Sequence, residues 1–206
     1  MSQPNIPIAK IVELSQLCLQ FARVNRVTYH EDGKRFESDS DHTVMLGIVA
    51  CAFAEQFEPN LDRGLMAQYA LVHDFVEVYA GDTCTINATG AQFADKAARE
   101  AAALDKLRAQ FSGIFPWLIA TIESYDTLAS PEARFIKTLD KVLPKITHAL
   151  NKGAALIDHG VAFGDIDRIN SQQLLKICNT YGHDQIEAIR LYTGIHEYLV
   201  SELTKC

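Results

Sequence analysis

No stretch of this 206-residue chain approaches the ~20 consecutive apolar residues that a membrane span requires. The amino terminus, Met1-Ser2-Gln3-Pro4-Asn5, has no basic segment followed by an apolar one, so no secretory signal is expected and the chain is assigned to the cytoplasm. Positive charge is scarce: 19 Lys and Arg stand against 26 Asp and Glu, a formal net charge of −7 at pH 7. A surface that tracks a nucleic-acid polymer needs clustered Lys and Arg, so that class is excluded and any phosphate must be met locally. The five cysteines (Cys18, Cys51, Cys84, Cys178, Cys206) are odd in number and far apart, with no CxxC pair. This argues against a disulfide framework or a thiolate zinc site and leaves them as reduced packing residues. Repeats, low-complexity tracts and linkers are absent as well. What is present, 48% apolar residues, suffices for one sizeable core, and residues 1–206 are expected to form a single domain.

Alternating hydrophobicity is hard to find, whereas apolar residues fall at helical spacing in nearly every long segment, which predicts an all-α helical bundle. Residues 8–24 read as a helix with Ile11, Leu14, Leu17, Cys18 and Phe21 on one stripe. Residues 25–40 are polar, contain Gly33 and read as a loop long enough to suspect function. A helix capped by Ser40 or Asp41 begins near His42, with Met45, Val49, Phe53 and Phe57 on its inner face. Residues 65–80 read as one continuous helix closed by Gly81. Helices are also expected over 91–111, 115–128, 170–180 and 183–203. Ser130-Pro131-Glu132 opens a further helix that runs to about residue 150, with Pro144 inside it.

Chemistry enters where acids and imidazoles fall on surfaces that packing would otherwise claim. His73, Asp74 and Glu77 interrupt an apolar stretch and, at helical spacing, project to one side. A buried carboxylate without a partner costs several kcal/mol, so this His-Asp pair demands a cation, a hydrogen-bonding partner or water. His42 stands at apolar-face steps with Met45 and Val49, and Asp140 shares a face with Ile136 and Leu143. Two imidazoles and two carboxylates from three helices would satisfy one another around a divalent cation and leave positions open for water and substrate. Such a mixed donor set suits manganese, iron, cobalt or zinc better than calcium. Other polar signals are read as scaffold. Asp184 in Gly182-His183-Asp184 caps a helix, His148 and His159 make ordinary hydrogen bonds, His30-Glu31-Asp32 is a solvated loop, and Lys137, Lys141 and Lys145 form a solvent face. His-Asp-x-x-Glu also differs from the His-Glu-x-x-His of zinc proteases, so peptidase chemistry is not indicated.

The order His, His-Asp, Asp resembles that of the HD-domain metal-dependent phosphohydrolases, and most of all their bacterial 5′-deoxynucleotidase-like branch. Asn25-Arg26, Glu37-Ser38-Asp39-Ser40-Asp41-His42-Thr43, the run from Val72 to Asp82, and Thr138-Leu139-Asp140 carry the likeness; the carboxy-terminal third matches only as generic helix. The resemblance implies an HD-type bundle whose metal-site core covers about residues 8–150, completed by helices from 151–206. It implies a divalent metal ion (manganese, cobalt, iron, zinc or magnesium) held by His42, His73, Asp74 and Asp140. Glu77 then corresponds to the acid/base, Arg26 to an arginine that grips phosphate, and Asp82 to an aspartate at the substrate with both a catalytic and a binding part. A divalent ion lowers the pKa of bound water from 15.7 towards ~7 and so supplies hydroxide at neutral pH, and a guanidinium matches phosphate oxygens with parallel donors.

The implied activity is release of phosphate from (deoxy)nucleoside 5′-monophosphates, a small-molecule nucleotide substrate, by a cytoplasmic homodimer. A (deoxy)nucleoside triphosphate triphosphohydrolase of the same superfamily would use the same ligands. A non-catalytic nucleotide-sensing or interaction module is a third reading, against which the retention of Glu77 argues. In one respect the chain departs from the branch, which has tryptophan directly after the Asn-Arg pair where this chain has Val27. The bulk that would exclude a ribose 2′-hydroxyl is missing there. Trp117 is too distant to replace it by sequence position, and Tyr29 or Phe36 are the aromatics nearest at hand.

Overall fold

The computed structural model describes residues 5–83 and 89–205. Its elements, in chain order, are α1 (Ile8–Phe21), β1 (Asn25–Tyr29), β2 (Phe36–Ser38), α2 (Asp39–Phe57), α3 (Arg63–Val72), α4 (Glu77–Ala80), α5 (Gly90–Phe111) and α6 (Pro116–Asp126). They continue with α7 (Pro131–Leu150), α8 (Ala154–Asp158), a 3₁₀ turn (Phe163–Asp165), α9 (Ile166–Thr180) and α10 (Ile186–Leu203). The fold is all-α, and among the described residues the one sheet is a small antiparallel hairpin formed by β1 and β2.

The central element is α7. Its start is set as the Ser-Pro-Glu signal predicts: Ser130 Oγ accepts from the Ala133 N–H at 3.1 Å, Pro131 occupies the first turn, and Glu132 faces the positive helix end. Ala133, Phe135, Ile136, Leu139, Val142 and Leu143 are all buried, so α7 is covered by neighbours on most of its circumference. On one side Leu46, Ala50 and Ala54 of α2 and Met66, Tyr69 and Ala70 of α3 join it in the main core. On another, Val142 packs with Ile177, Tyr181 and Tyr192 from the carboxy-terminal helices. A separate cluster gathers Leu17 and Phe21 of α1, Val72 and Phe75, Leu107 and Phe111 of α5 and Leu118, Ile119 and Ile122 of α6.

Several expectations are corrected. The segment 25–40 is no simple loop, because β1 and β2 pair within it. The cap of α2 is Ser38, not Ser40 or Asp41: Ser38 Oγ accepts from the Asp41 N–H at 3.1 Å while Asp41 Oδ2 accepts from the Ser38 N–H at 3.0 Å, a reciprocal box. The inner face of α2 is shifted by one position, to His42, Leu46, Ala50 and Ala54, because small residues allow α3 to approach; Phe57 is 55% exposed. Residues 65–80 do not form one helix, since α3 ends at Val72 and α4 begins at Glu77. Gly81 does close the segment, at φ 71° and ψ 152°, a conformation that Cβ-bearing residues rarely adopt. Asp184 is not a helix cap but pairs with Arg134 of α7 at 2.5 Å, so α10 begins later than expected, at Ile186. Cys18 is exposed rather than packed, while Cys84 and Cys206 lie outside the described residues. Lys137 and Lys145 stand over the rings of Tyr125 and Tyr192 instead of forming a solvent face. Among the described residues no helix is long and apolar enough to cross a membrane.

His148, near the end of α7, is 7% exposed, and its Nδ1 has no hydrogen-bond partner. Burial, with the Lys145 charge adding to it, depresses this imidazole to about 4. An unfolded histidine titrates near 6.5, so as pH falls the unfolded chain takes the proton first and the fold loses stability between about pH 6.5 and pH 4. The loss between pH 7 and pH 5 amounts to about 2 kcal/mol, a fall in Tm of roughly 4–8 °C for a chain of this size. Calorimetry at the two pH values should show this dependence, and His148→Gln should flatten it; an unchanged slope in the variant would refute the assignment.

Candidate metal centre

Three local devices bring the site together. The Ser38–Asp41 box fixes the first turn of α2, which carries Asp39 and His42 into the interior, both 0% exposed. In the hairpin the five residues of β1 face only three of β2, and the register shifts between Asn25 and Tyr29. Such an irregularity re-aims side chains, and Arg26 lies inside it.

The third device is the break after α3. Phe75 N–H donates to Val72 O, Glu77 N–H to Asp74 O and Tyr79 N–H to Val76 O, each three residues back. Three-residue turns eclipse side chains at i and i+3, so Asp74 and Glu77 stack while His73 is turned to a neighbouring direction. A regular helix would instead have put all three on one broad face.

His42, His73, Asp74 and Asp140 each offer a ligand atom, and these four atoms lie within 4.8 Å of one another. His42 Nε2 is 3.1 Å from Asp140 Oδ1, and His73 Nε2 is 3.0 Å from Asp74 Oδ2 and 4.0 Å from Asp140 Oδ1. Both rings are held from behind. His73 Nδ1 donates to the Ala70 carbonyl at 2.8 Å, and His42 Nδ1 is 3.1 Å from Glu37 Oε1. A carbonyl can only accept, so Nδ1 of His73 carries a proton, and in the neutral ring Nε2 presents a lone pair. That Nε2 is buried without a hydrogen-bond partner. A lone pair and a carboxylate oxygen 3.0 Å apart repel unless a cation or proton stands between them, so these residues fit a divalent metal.

Electrostatics follow from burial. Burial would raise Asp140, but Lys141, whose Nζ is 2.8 Å from Oδ2, outweighs it together with His42 and His73 and holds the carboxyl well below its usual range. Asp74 is likewise held low, by His73 and then Arg26 against burial. Burial works against charge on His42, yet Asp140 and Glu37 raise it. Arg26 Nη1 donates to Asp74 Oδ2 at 2.8 Å and Asp39 Oδ1 at 3.2 Å, and Nε stands 3.6 Å from Glu37 Oε1. Burial disfavours its charge, but Asp74, Asp140, Asp82 and Asp39 raise its pKa further still. Burial pushes Glu77 up to about 9, with the Asp74 charge adding and Lys96 opposing. Burial also lifts Asp39 to about 7, against the pull of Arg26.

The structure thus brings His42, His73, Asp74, Asp140, Arg26 and Glu77 together. Asp82 follows Gly81 and is half-buried, and its charge acts on Arg26, Asp39 and Glu77. Tyr29 and Phe36 pack on each other at 4.9 Å, and the Tyr29 hydroxyl donates to Asp158 at 2.6 Å, which ties them to α8. Four participants were not singled out from sequence: Glu37, Asp39, Lys96, and Lys141 as a partner of Asp140. The acids at 37, 39 and 41 directly before His42 were a usable signal. Lys96 gave none, because its contact with Glu77 spans 19 positions.

The description of the HD domain matches residues 19–181, most of the chain. The chain belongs to the HD-domain family. A Danio rerio protein named 5′-deoxynucleotidase HDDC2 is 29% identical to this HD-domain chain over 134 residues, 64% of each. The Homo sapiens protein of the same name is 28% identical over 133 residues, 64% of this chain and 63% of that one. The chain therefore spans a little under two thirds of these curated relatives. A solved structure described as a predicted metal-dependent phosphohydrolase from Magnetospirillum magnetotacticum shares the fold, with a TM-score of 0.69 and 24% identity over 93% of this chain and 97% of that one.

Residues that hold a ligand imidazole from behind typically account for 10- to 100-fold in metal affinity. Glu37→Ala is therefore expected to weaken divalent-cation binding by about 10- to 100-fold, measured by titration calorimetry with manganese, while leaving the helical circular dichroism intact.

Proposed function

We propose that this HD-domain chain is a divalent-metal-dependent phosphohydrolase that releases phosphate from (deoxy)nucleoside 5′-monophosphates. The observation that carries the reading is the convergence of two imidazoles and two carboxylates within 4.8 Å, with a half-buried arginine and a buried glutamate beside them. The relatives named 5′-deoxynucleotidase supply the substrate class. In this reading His42, His73, Asp74 and Asp140 hold the metal, one of manganese, cobalt, iron, zinc or magnesium. When bound, it would lower the pKa of water towards ~7 and polarise a phosphoryl oxygen.

The chain's own residues do the rest. Arg26 keeps its charge beside Asp74 and Asp39, and its guanidinium offers the phosphate donors that neutralise developing negative charge. Without such a local cation, a protein of net charge −7 would repel an anionic substrate. Glu77, whose carboxyl retains a proton near neutrality, gives that proton from its oxygen to the departing 5′-oxygen of the nucleoside. Asp82, whose charge reaches Arg26, Asp39 and Glu77, takes both a catalytic and a binding part at the substrate, as the family likeness implies. Val27 supplies no bulk against a 2′-hydroxyl, so the branch's device for strict deoxyribose preference is missing at that position. Residues 1–206 act as one domain, in a cytoplasmic homodimer, an assignment that rests on the family likeness and on free Cys18, Cys51 and Cys178.

Purified protein should release inorganic phosphate from 5′-monophosphates only with added divalent metal; no release across a panel of metals and nucleotides would refute the proposal, and tripolyphosphate from triphosphates would redirect it. Asp74→Ala should lose both bound metal and turnover. Glu77→Ala should keep the metal and lose about 10²- to 10⁴-fold in rate, read by elemental analysis beside steady-state kinetics.

A further inference from the structure

The buried Glu77 carboxylate divides its two oxygens unequally. Oε1 accepts from Lys96 Nζ of α5 at 2.9 Å, while Oε2 is buried with no hydrogen-bond partner. Lys96 is itself bracketed, with Glu100 Oε1 3.2 Å away one turn further along α5. Three residues past Lys96, Arg99 donates to the Ala80 carbonyl and, at 2.6 Å, to Thr83 Oγ1. The same face of α5 therefore grips α4 at both ends, with an ammonium at its first residue and a guanidinium at its last. This ties Lys96 to the position of α4 and limits how far its Nζ can drift from Glu77.

An ammonium has three donors and no acceptor. Its partner oxygen is thereby committed as an acceptor, so the proton of the Glu77 carboxyl sits on Oε2, and turning Oε1 away from Nζ would leave a buried oxygen without a donor. We propose that Lys96 is a positioning residue for Glu77: by holding Oε1 it leaves Oε2 as the oxygen that exchanges the proton with the reacting group. The inference rests on the acid/base reading of Glu77 given above. The side chain of Lys96 is 23% exposed against 2% for Glu77, which places it as the cover between the carboxylate and solvent.

The test is steady-state kinetics of Lys96→Met and Lys96→Arg on deoxyadenosine 5′-monophosphate with manganese, alongside metal content and a crystal structure of Lys96→Met. Lys96→Met should lower kcat about 10- to 100-fold, as loss of a residue that orients a functional group does. KM and metal content should be unchanged, and Lys96→Arg should recover most of the rate. In a Glu77→Gln background, Lys96→Met should add no further loss. A rise in KM alone, an unchanged kcat, a loss of metal, additive losses with Glu77→Gln, or a Glu77 carboxylate that stays in place in the Lys96→Met crystal would each overturn the inference. If Lys96→Met does not fold, Lys96→Gln takes its place with the same expected readings. Wild-type protein that binds manganese but turns over no monophosphate would refute the hydrolase reading instead. The place of the Glu77 carboxylate in the variant crystal would then still decide this one.

Discussion

Charge buried without a counter-charge costs several kcal/mol, and the interior of this protein is arranged around that cost. Asp74, Asp140, Glu77, Asp39 and Glu37 are brought to one place by the packing of α2, α3, α4 and α7 with the hairpin. Each carboxylate is met by a cation or an imidazole: Lys141 and His42 at Asp140, His73 and Arg26 at Asp74, Lys96 at Glu77, His42 at Glu37 and Arg26 again at Asp39. The compensation is incomplete. His73 Nε2 and one oxygen each of Glu37, Asp39 and Glu77 remain buried without hydrogen-bond partners. Unsatisfied groups of this kind, gathered at one point, fit a metal-binding site and are what a core built for stability alone would avoid.

The surrounding backbone is irregular where the site needs it. The tightened turn between α3 and α4 stacks Asp74 over Glu77, and the unequal strands of the hairpin aim Arg26 inward. Pro144 lies four residues past Asp140 within α7. Having no N–H, it leaves the Asp140 carbonyl without its helical donor, which places a third irregularity one turn from a site residue. Regular helices supply rigidity, and these interruptions decide direction.

The long apolar interfaces carry the rest. α7 is buried nearly all round because the main core lies on one side and the carboxy-terminal helices on another. Tyr181, at the end of α9, packs against Val142 in the same cluster, so the carboxy-terminal helices bear on the helix that holds Asp140. Arg134 at the start of α7 is fixed to Asp184 just before α10, which ties that support from the other end.

Helical periodicity and end signals in the sequence determined the helix content, the start of α7, and the closing of α4 at Gly81. Those are properties of a chain with its nearest neighbours, since a cap or an apolar stripe needs no distant partner. The positions of His42, His73, Asp74 and Asp140 as unexplained polar interruptions were legible for the same reason. What neighbours in sequence could not decide was left to tertiary structure. The hairpin in 25–40 forms because β1 finds β2 and the pair is held against α7 and α8, and polar composition had suggested only a loop. The break at His73 falls where its Nδ1 donates to the Ala70 carbonyl and the chain tightens into three-residue turns, overriding apolar helical spacing that runs straight through it. Glu37 behind His42, Asp39 under Arg26, Lys141 at Asp140 and Lys96 over Glu77 are second partners to charges already identified. Which cation meets which buried carboxylate depends on distance through space, and that exists only once the helices have packed.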